Sequence, residues 1–218
     1  MNRATKAIVS TIGVLLSIAG IDHGIFETVQ GNTPTPGLII QAIGDAQQMW
    51  YYGTEEAFTL IPNFLITGIL AILVSLVLMV WSVGFVQLQH GATVFILLCA
   101  LLFLVGGGVA QIVFFIPTWA AATRINRPLA GWQRVLPQGL RRVLAKLWRV
   151  FLVLCSVSFL IGLYIAIVGN VPWLNSGDPE AILAVCWSFI FGGGLGMMLL
   201  AFVAGFAYDI QQQTVKAV

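Results

Sequence analysis

Long apolar runs alternate with short polar stretches along this chain. Five runs are long enough to cross a bilayer as a helix, which takes about 20 residues. The pattern therefore predicts an all-α fold, a polytopic membrane helix bundle that forms a single domain over residues 1–218. The five predicted spans are approximately Ala7–Phe26, Ala57–Phe85, Thr93–Ala121, Val150–Gly169 and Ala181–Ala207.

A shorter apolar segment lies between the first two spans. It covers Leu38–Trp50 and follows a polar stretch that contains two prolines. Ile39, Ile43, Ala46 and Trp50 recur at helical spacing within it. Because the segment is too short to span a bilayer, we predict an interfacial or re-entrant helix here.

Residues 138–151 predict a basic amphipathic helix in the connection before the fourth span. One arc carries apolar residues, namely Leu140, Val143, Leu144, Leu147 and Phe151. The opposite arc carries the bases, namely Arg141, Arg142, Lys146 and Arg149. Such a helix lies in the headgroup plane, where each base contributes about 1 kcal/mol of attraction to anionic lipid headgroups. We expect a lipid-facing elbow that fixes topology, with a lipid- or protein-docking face as the alternative.

The composition agrees with a chain surrounded by lipid. Only 8% of the residues are charged and 59% are hydrophobic, whereas a soluble domain carries about 25% charged residues. This excludes a soluble enzyme, a disordered regulator and a disulfide-stapled secreted module. A net charge of +2 argues against a nucleic-acid partner. Three cysteines within apolar runs indicate neither a disulfide framework nor a zinc site, and no cofactor is predicted.

The positions of the basic residues predict orientation, because Lys and Arg favour cytoplasmic loops. Most of the bases lie between residues 124 and 149. Five crossings would place this Arg-rich loop and the C-terminus in the cytoplasm of a prokaryotic cell and the N-terminus outside. However, Arg3 and Lys6 favour an N-terminus inside. A third segment that is re-entrant and breaks at Gly106–Gly108 would satisfy both preferences.

Three ionisable residues near the end of the first helix are candidates for function. Asp22, His23 and Glu27 lie within or close to the apolar region, where such groups are costly and mark function. His23 and Glu27 share a helix face, and Glu55 and Glu56 are expected on the same side of the membrane. A hydrogen bond between His23 and Glu27 is the simplest interpretation. The alternatives are a metal or cation site, with His23, Glu27 and Glu56 as candidate ligands, and a path for protons or substrate.

The predicted second span adds polar residues near its start. Thr59 and Asn63 would share a face and hydrogen-bond to the first helix, beside a kink at Pro62. The predicted intramembrane polar cluster therefore comprises Asp22, His23, Glu27, Glu55, Glu56, Thr59 and Asn63. Gln111 is the other strong polar group at depth. Two glycine groups, at 106–108 and 192–196, are expected to let helices pack closely, with a substrate passage or a discontinuous helix as the alternative.

Several strings resemble an uncharacterised family of small prokaryotic multi-pass integral membrane proteins. They are His23-Gly24 with Glu27, Gln30-Gly31-Asn32, Glu56-Ala57 followed by Thr59-Leu60-Ile61-Pro62-Asn63, and Gln89-His90-Gly91, with a similar pattern at Ala121–Ile125 and Gly205-Phe206-Ala207. The strings are spread over most of the chain, although Leu88 stands where the family pattern leads us to expect a base. The resemblance implies a self-contained membrane domain, and it carries no known activity.

These observations leave three functions open. The first is a membrane-embedded structural or accessory subunit that packs against partner membrane subunits or against further copies of itself, since the sequence contains no HExxH, GxSxG or phosphate-loop motif. The second is a small transporter or a protein that handles ions or protons through Asp22, His23 and Glu27. The third is a metal-dependent intramembrane enzyme that uses the same cluster. An enzyme is the least favoured of the three, because the sequence contains no recognisable catalytic motif.

Overall fold

The structure, a computed structural model, describes residues 1–47, 49–53, 55–174 and 177–216, and it is mostly helical. The α-helices are α1 (Arg3–Val29), α2 (Phe64–Gly84), α3 (Gly91–Leu104), α4 (Ile112–Ala122), α5 (Ala130–Val135), α6 (Gln138–Val168), α7 (Pro179–Trp187) and α8 (Met197–Lys216). The strands are β1 (Ile39–Ile43), β2 (Glu55–Thr59) and β3 (Val105–Gly108). A π-helical segment, Ser188–Gly196, joins α7 to α8.

Four helical segments of the described chain are long and apolar enough to cross a membrane. They are α1, α2, α6 and the continuous stretch Pro179–Thr214. The outward faces of these helices carry exposed apolar side chains, such as Val77, Val80 and Val83 on α2. Large apolar patches of this kind are uncommon on proteins that face water. The structure therefore agrees with a membrane helix bundle, but it has four long candidate spans where the sequence predicted five.

The predicted span over residues 93–121 does not form one long helix. It is broken into a hairpin of two shorter helices. α3 ends at Leu104, strand β3 and a 3-10 turn follow, and α4 runs back. The amide of Asn126 donates a 2.6 Å hydrogen bond to the carbonyl of Gln87, which joins the two ends of the hairpin. The prediction that this segment crosses once is therefore wrong, and the break occurs at the glycine group named as the alternative.

The hairpin brings both chain termini to one end of the bundle. The side-chain amide of Gln213, near the C-terminus, donates a 2.7 Å hydrogen bond to the side-chain oxygen of Asn2. The backbone N–H of Asn2 in turn donates to the carbonyl of Ile125. The arrangement with the termini on opposite faces is therefore wrong, because α3 and α4 together return the chain to the end from which it started.

This topology separates the charges between the two ends. All of the chain's Lys and Arg residues lie at the end that holds the termini, which we call the basic end: Arg3, Lys6, Arg124, Arg127, Arg134, Arg141, Arg142, Lys146, Arg149 and Lys216. The other end, which we call the acidic end, holds most of the acids: Asp22, Glu27, Asp45, Glu55, Glu56, Asp178 and Glu180. The remaining acid, Asp209, is buried at the basic end.

A small antiparallel sheet closes the acidic end, in the order β1-β2-β3. The predicted interfacial helix Leu38–Trp50 is wrong, because its first half forms β1, paired with β2, and a 3-10 turn, Asp45–Gln47, follows. Gln48 lies outside the described residues. The backbone N–H and C=O groups of β1 form hydrogen bonds with β2. The spacing of apolar residues within Leu38–Trp50 cannot reveal such pairing with another segment of the chain.

The predicted amphipathic connector is not a separate element. Residues 138–151 form the first turns of α6, which continues without a break to Val168. Leu140 and Val143 of the predicted apolar stripe are exposed, while Ala145 packs against Ala207 of α8. The bases of this helix lie at the end of a candidate span, and the guanidinium of Arg149 lies 5.2 Å from the ring centre of Trp148.

Small residues hold α1 and α2 close together, as expected for helices packed in lipid. A Cβ added at any of three glycines on α1 would overlap atoms of α2. The facing pairs are Gly13–Ser82, Gly20–Ser75 and Gly24–Gly68. The glycine groups predicted to serve this purpose behave differently: Gly193 does pack against Ser158 of α6, but Gly106–Gly108 form a strand rather than a helix contact.

Candidate functional site

His23 and Glu27 lie one turn apart on α1 and face the glycine strand β3. Glu27 is fully buried and His23 is 2% exposed. A Cβ added at Gly106 would overlap the carboxylate of Glu27, and one at Gly108 would overlap the imidazole of His23. Because Gly106 and Gly108 have no side chains, β3 leaves room for the carboxylate of Glu27 and the imidazole of His23.

Several polar atoms of this pair have no hydrogen-bond partner. Both carboxylate oxygens of Glu27 and Nδ1 of His23 are buried and unpaired. The predicted hydrogen bond between His23 and Glu27 is therefore absent. Buried polar groups are almost always paired in folded proteins, because leaving them unpaired costs free energy. Unpaired groups at this depth are consistent with a site that binds a proton, a cation or water.

Glu55 connects the buried pair to the surface. It extends from β2, and its Oε2 lies 3.6 Å from Nε2 of His23. This distance is longer than a hydrogen bond but short enough for a strong attraction if the imidazole is protonated. The side chain of Glu55 is 17% exposed, whereas that of His23 is 2% exposed, so Glu55 lies nearer to the surface.

Gln111 completes the buried part of the site. It lies in the 3-10 turn Val109–Gln111, is 5% exposed, and has no partner for either its amide nitrogen or its amide oxygen. Gln111, His23 and Glu55 line a small cavity of about 40 Å³. This volume accommodates a water molecule, and its polar lining supplies hydrogen-bond partners for one.

A larger cleft at the acidic end adjoins this cavity. Its volume is about 370 Å³, and Glu55, Ala110 and Ile190 line both spaces. Tyr52 and Trp187 also line the cleft, and both are 53% exposed. A continuous series of groups therefore runs from the open cleft, through Glu55, to His23 and the neighbouring Glu27. Sequence reasoning found the acids and His23, but it missed Tyr52 and Trp187, since nothing in their local pattern indicates a shared cleft.

The other predicted members of the cluster do not line the buried cavity. Asp22 is half-buried and lines neither space, while Glu56 is exposed and lines the cleft. Thr59 and Asn63 were predicted to lie on a helix face against α1, and this is wrong because α2 begins only at Phe64. Thr59 belongs to β2.

Thr59 and Asn63 have structural roles instead. The hydroxyl of Thr59 lies 2.6 Å from that of Thr67, which donates to the carbonyl of Val105 in β3. The Asn63 side chain caps α2 by accepting the N–H of Ile66 at 3.1 Å. These contacts fasten the sheet to α2 and therefore position β3 against Glu27.

A metal centre receives no support from the geometry. Among the described residues, no three His, Cys, Asp or Glu side chains are grouped so that they could hold a metal ion. The candidate ligands His23, Glu27 and Glu56 are not brought together, because Glu56 lines the outer cleft while Glu27 faces β3. The arrangement suits proton exchange among an imidazole, carboxylates and water better than the coordination of a metal.

Comparison of the chain with protein-family models, with curated proteins and with solved structures found no match in any of the three. The geometry of the site is therefore the basis for a functional assignment.

Proposed function

We propose that this chain is a small integral membrane protein that handles protons or other cations through Glu27, His23, Glu55 and Gln111. The observation that carries the proposal is the pair of buried, unpaired groups on α1, connected through Glu55 to an open cleft. Ionisable residues at such depth in a membrane helix mark ion pathways and proton relays by default.

The chemistry of the four side chains fits proton transfer. Histidine exchanges protons near neutral pH, and carboxylates accept and release them. The cavity beside Gln111 has room for a water molecule that would bridge groups too far apart for direct transfer. A proton entering at Glu55 would pass to His23, and from there toward Glu27.

The broken hairpin also favours a transport role. Irregular backbone within a membrane protein is tolerated where it is buried in protein or lines a cavity. In many transporters, discontinuous helices form the substrate and ion sites. Here the break at β3 coincides with the unpaired groups of Glu27 and His23, so the interruption and the site occupy one place.

The site is tested by reconstituting the full chain in vesicles and imposing a membrane potential. Wild-type protein is expected to carry protons, and Glu27→Gln, which keeps the size but cannot ionise, is expected to lower the flux at least tenfold because the buried carboxylate that would receive the proton from His23 is lost. Fluorescence of an entrapped pH dye measures the flux, and the carboxyl stretching band in the infrared reports proton binding at Glu27.

Glu180→Gln is the matched control, because Glu180 is an exposed acid at the same end that does not line the cleft. Its flux should equal that of the wild type. If Glu27→Gln and His23→Ala both leave the flux unchanged, the proposal is wrong. A protein that carries no protons and instead copurifies with a stoichiometric membrane subunit would favour the accessory-subunit alternative.

We further propose that the basic end lies in the cytoplasm of a prokaryotic cell, with both termini and the Arg-rich loop inside. All ten bases lie at this end, and Lys and Arg near span ends favour the cytoplasmic side. The cleft with Glu55 and Glu56 then opens outward.

The orientation predicts opposite labelling of two exposed positions. Glu180→Cys should react with a membrane-impermeant maleimide added to intact cells, and Arg134→Cys should react only after lysis. The native cysteines Cys99, Cys155 and Cys186 are buried, so they contribute little background. Labelling of Arg134→Cys in intact cells would reverse the orientation.

A further inference from the structure

We propose that the cleft at the acidic end binds a small organic cation, a substituted ammonium group on an apolar body. The inference rests on the proposed function and names the class of solute that the site would take. Four features of the cleft support it: carboxylates without a Lys or Arg partner, exposed aromatic rings, apolar walls, and the unpaired buried groups behind them.

Two adjacent carboxylates, Glu55 and Glu56, line the cleft. Neighbouring residues of a regular strand point to opposite faces, but the pairing of β2 with β1 is irregular here, between Gln41 and Ile43. The extra residue lies in β1, opposite Glu55 and Glu56, and such bulges are common beside functional sites. Both acids line the same cleft.

Among the described residues, no Lys or Arg forms an ion pair with these acids. Every Lys and Arg lies at the basic end, across the length of the bundle. His23 is the only ionisable base near Glu55 among the described residues, and Glu56 has no ion pair there. A cation from outside the protein is therefore the natural partner for this negative surface.

The remaining lining favours an organic cation over a hydrated inorganic one. Tyr52 and Trp187 expose their rings to the cleft, and aromatic rings attract ammonium groups through the cation–π interaction. Trp187 is held by stacking on Phe191, with ring centres 5.0 Å apart. Leu183 and Ile190 add apolar wall, and the volume of about 370 Å³ lies in the range of small-molecule sites.

The buried end of the site gives a second, independent indication of a ligand. His23 and Gln111 line the adjoining cavity and are 2% and 5% exposed, yet Nδ1 of His23 and both amide atoms of Gln111 lack partners. Because Glu55 borders both spaces, a cation bound in the cleft would lie beside the proposed proton path. Binding of the cation and of the proton would then compete for Glu55.

The test is equilibrium dialysis of the purified full chain with radiolabelled benzyltrimethylammonium. Saturable binding is expected, and Trp187→Leu and Glu56→Gln should each weaken it about fivefold or more, as loss of a cation–π contact or of a partly desolvated charge predicts. The neutral isostere neopentylbenzene should not displace the probe. If neopentylbenzene displaced the probe as well as the unlabelled cation does, the site would recognise only apolar groups and the proposal would be wrong.

Matched controls separate the cleft from the acidic end as a whole. Trp173→Leu and Glu180→Gln change an exposed tryptophan and an exposed glutamate at the same end that do not line the cleft. Both should bind the probe as the wild type does. No saturable binding to folded wild-type protein, or equal weakening by the controls, would overturn the proposal.

The same assay in lipid nanodiscs identifies the source of the ammonium group. If the probe binds more weakly in phosphatidylcholine nanodiscs than in phosphatidylglycerol nanodiscs, the ammonium headgroup of the lipid competes with it and is the ligand. If the probe binds equally in both, the ligand is a soluble cation. Either result retains an ammonium site. The outcome is separable from proton handling. A proton flux that depends on Glu27 without any probe binding would reject only the organic cation, and binding without such a flux would reject only the proton path.

Discussion

Asp209→Ala is expected to lower the free energy of unfolding by about 4 kcal/mol, since it removes a buried carboxylate with three hydrogen bonds. Its two oxygens accept the N–H of Ala4 at 3.0 Å, the N–H of Thr5 at 2.9 Å and the hydroxyl of Thr5 at 2.7 Å. These N–H groups belong to the first turn of α1, where the helix dipole favours a negative charge. Detergent-induced unfolding followed by circular dichroism measures the change.

Asp209 acts as the N-cap of α1 although it lies on α8. The residue at the cap position, Asn2, makes no capping bond, because its side-chain oxygen accepts from Nε2 of Gln213 while its amide nitrogen donates to the carbonyls of Arg124 and Arg127. Without the carboxylate, two buried N–H groups would lose their acceptors. The penalty is therefore larger than that of an ordinary cap.

Asp178→Ala provides the comparison, because Asp178 caps α7 at an exposed position by accepting the N–H of Glu180. An exposed cap contributes about 1 kcal/mol, so its loss should be clearly smaller. Asp209→Asn, which keeps the shape but loses the charge, should fall between the two. Equal effects of Asp209→Ala and Asp178→Ala would contradict the role assigned to Asp209.

Local signals in the sequence account for the long apolar helices and for several helix ends. The apolar stretches within α1 and α6 were recognised. The same short-range rules account for Gly31, which follows the end of α1 with a φ of 74°, and for Asp178-Pro179-Glu180, which begin α7. Each of these depends on residues within a few positions of one another. Helix propensity, apolar length and capping are therefore readable from a short window.

Features that depend on distant residues were missed. The sheet at the acidic end joins β1 and β2 to β3, which follows roughly fifty residues later along the chain. Glycines 106–108 were interpreted as a helix-packing surface, because their partners, the side chains of Glu27 and His23, are equally remote. Asp209 was overlooked for the same reason, since it meets Ala4 across the whole length of the sequence.

The site was partly predictable. The position of His23 and Glu27 near a helix end in an apolar context indicated function, and the structure places both against a break in the hairpin. Their expected mutual hydrogen bond is absent, because β3 and Glu55 shape the surroundings instead. The sequence thus identified two ionisable residues near a helix end, but the topology decides which groups surround them.

Gly106→Val is expected to destabilise the protein by about 4 kcal/mol, for two separable reasons. The backbone of Gly106 has a φ of 106°, which a β-branched residue adopts only under strain. Any added side chain would also overlap the carboxylate of Glu27. Thermal unfolding in detergent, followed by circular dichroism, gives the loss of stability.

The two reasons can be separated with Glu27→Ala. In the double variant Gly106→Val/Glu27→Ala the overlap is removed and the backbone strain remains, so Gly106→Val should cost about half as much as in the wild-type background. Gly84→Ala is the control, since a Cβ there meets open space and should change stability by less than about 0.5 kcal/mol. If removing Glu27 gave no relief, β3 would not lie against the carboxylate, and the glycine strand would lose its role in forming the site.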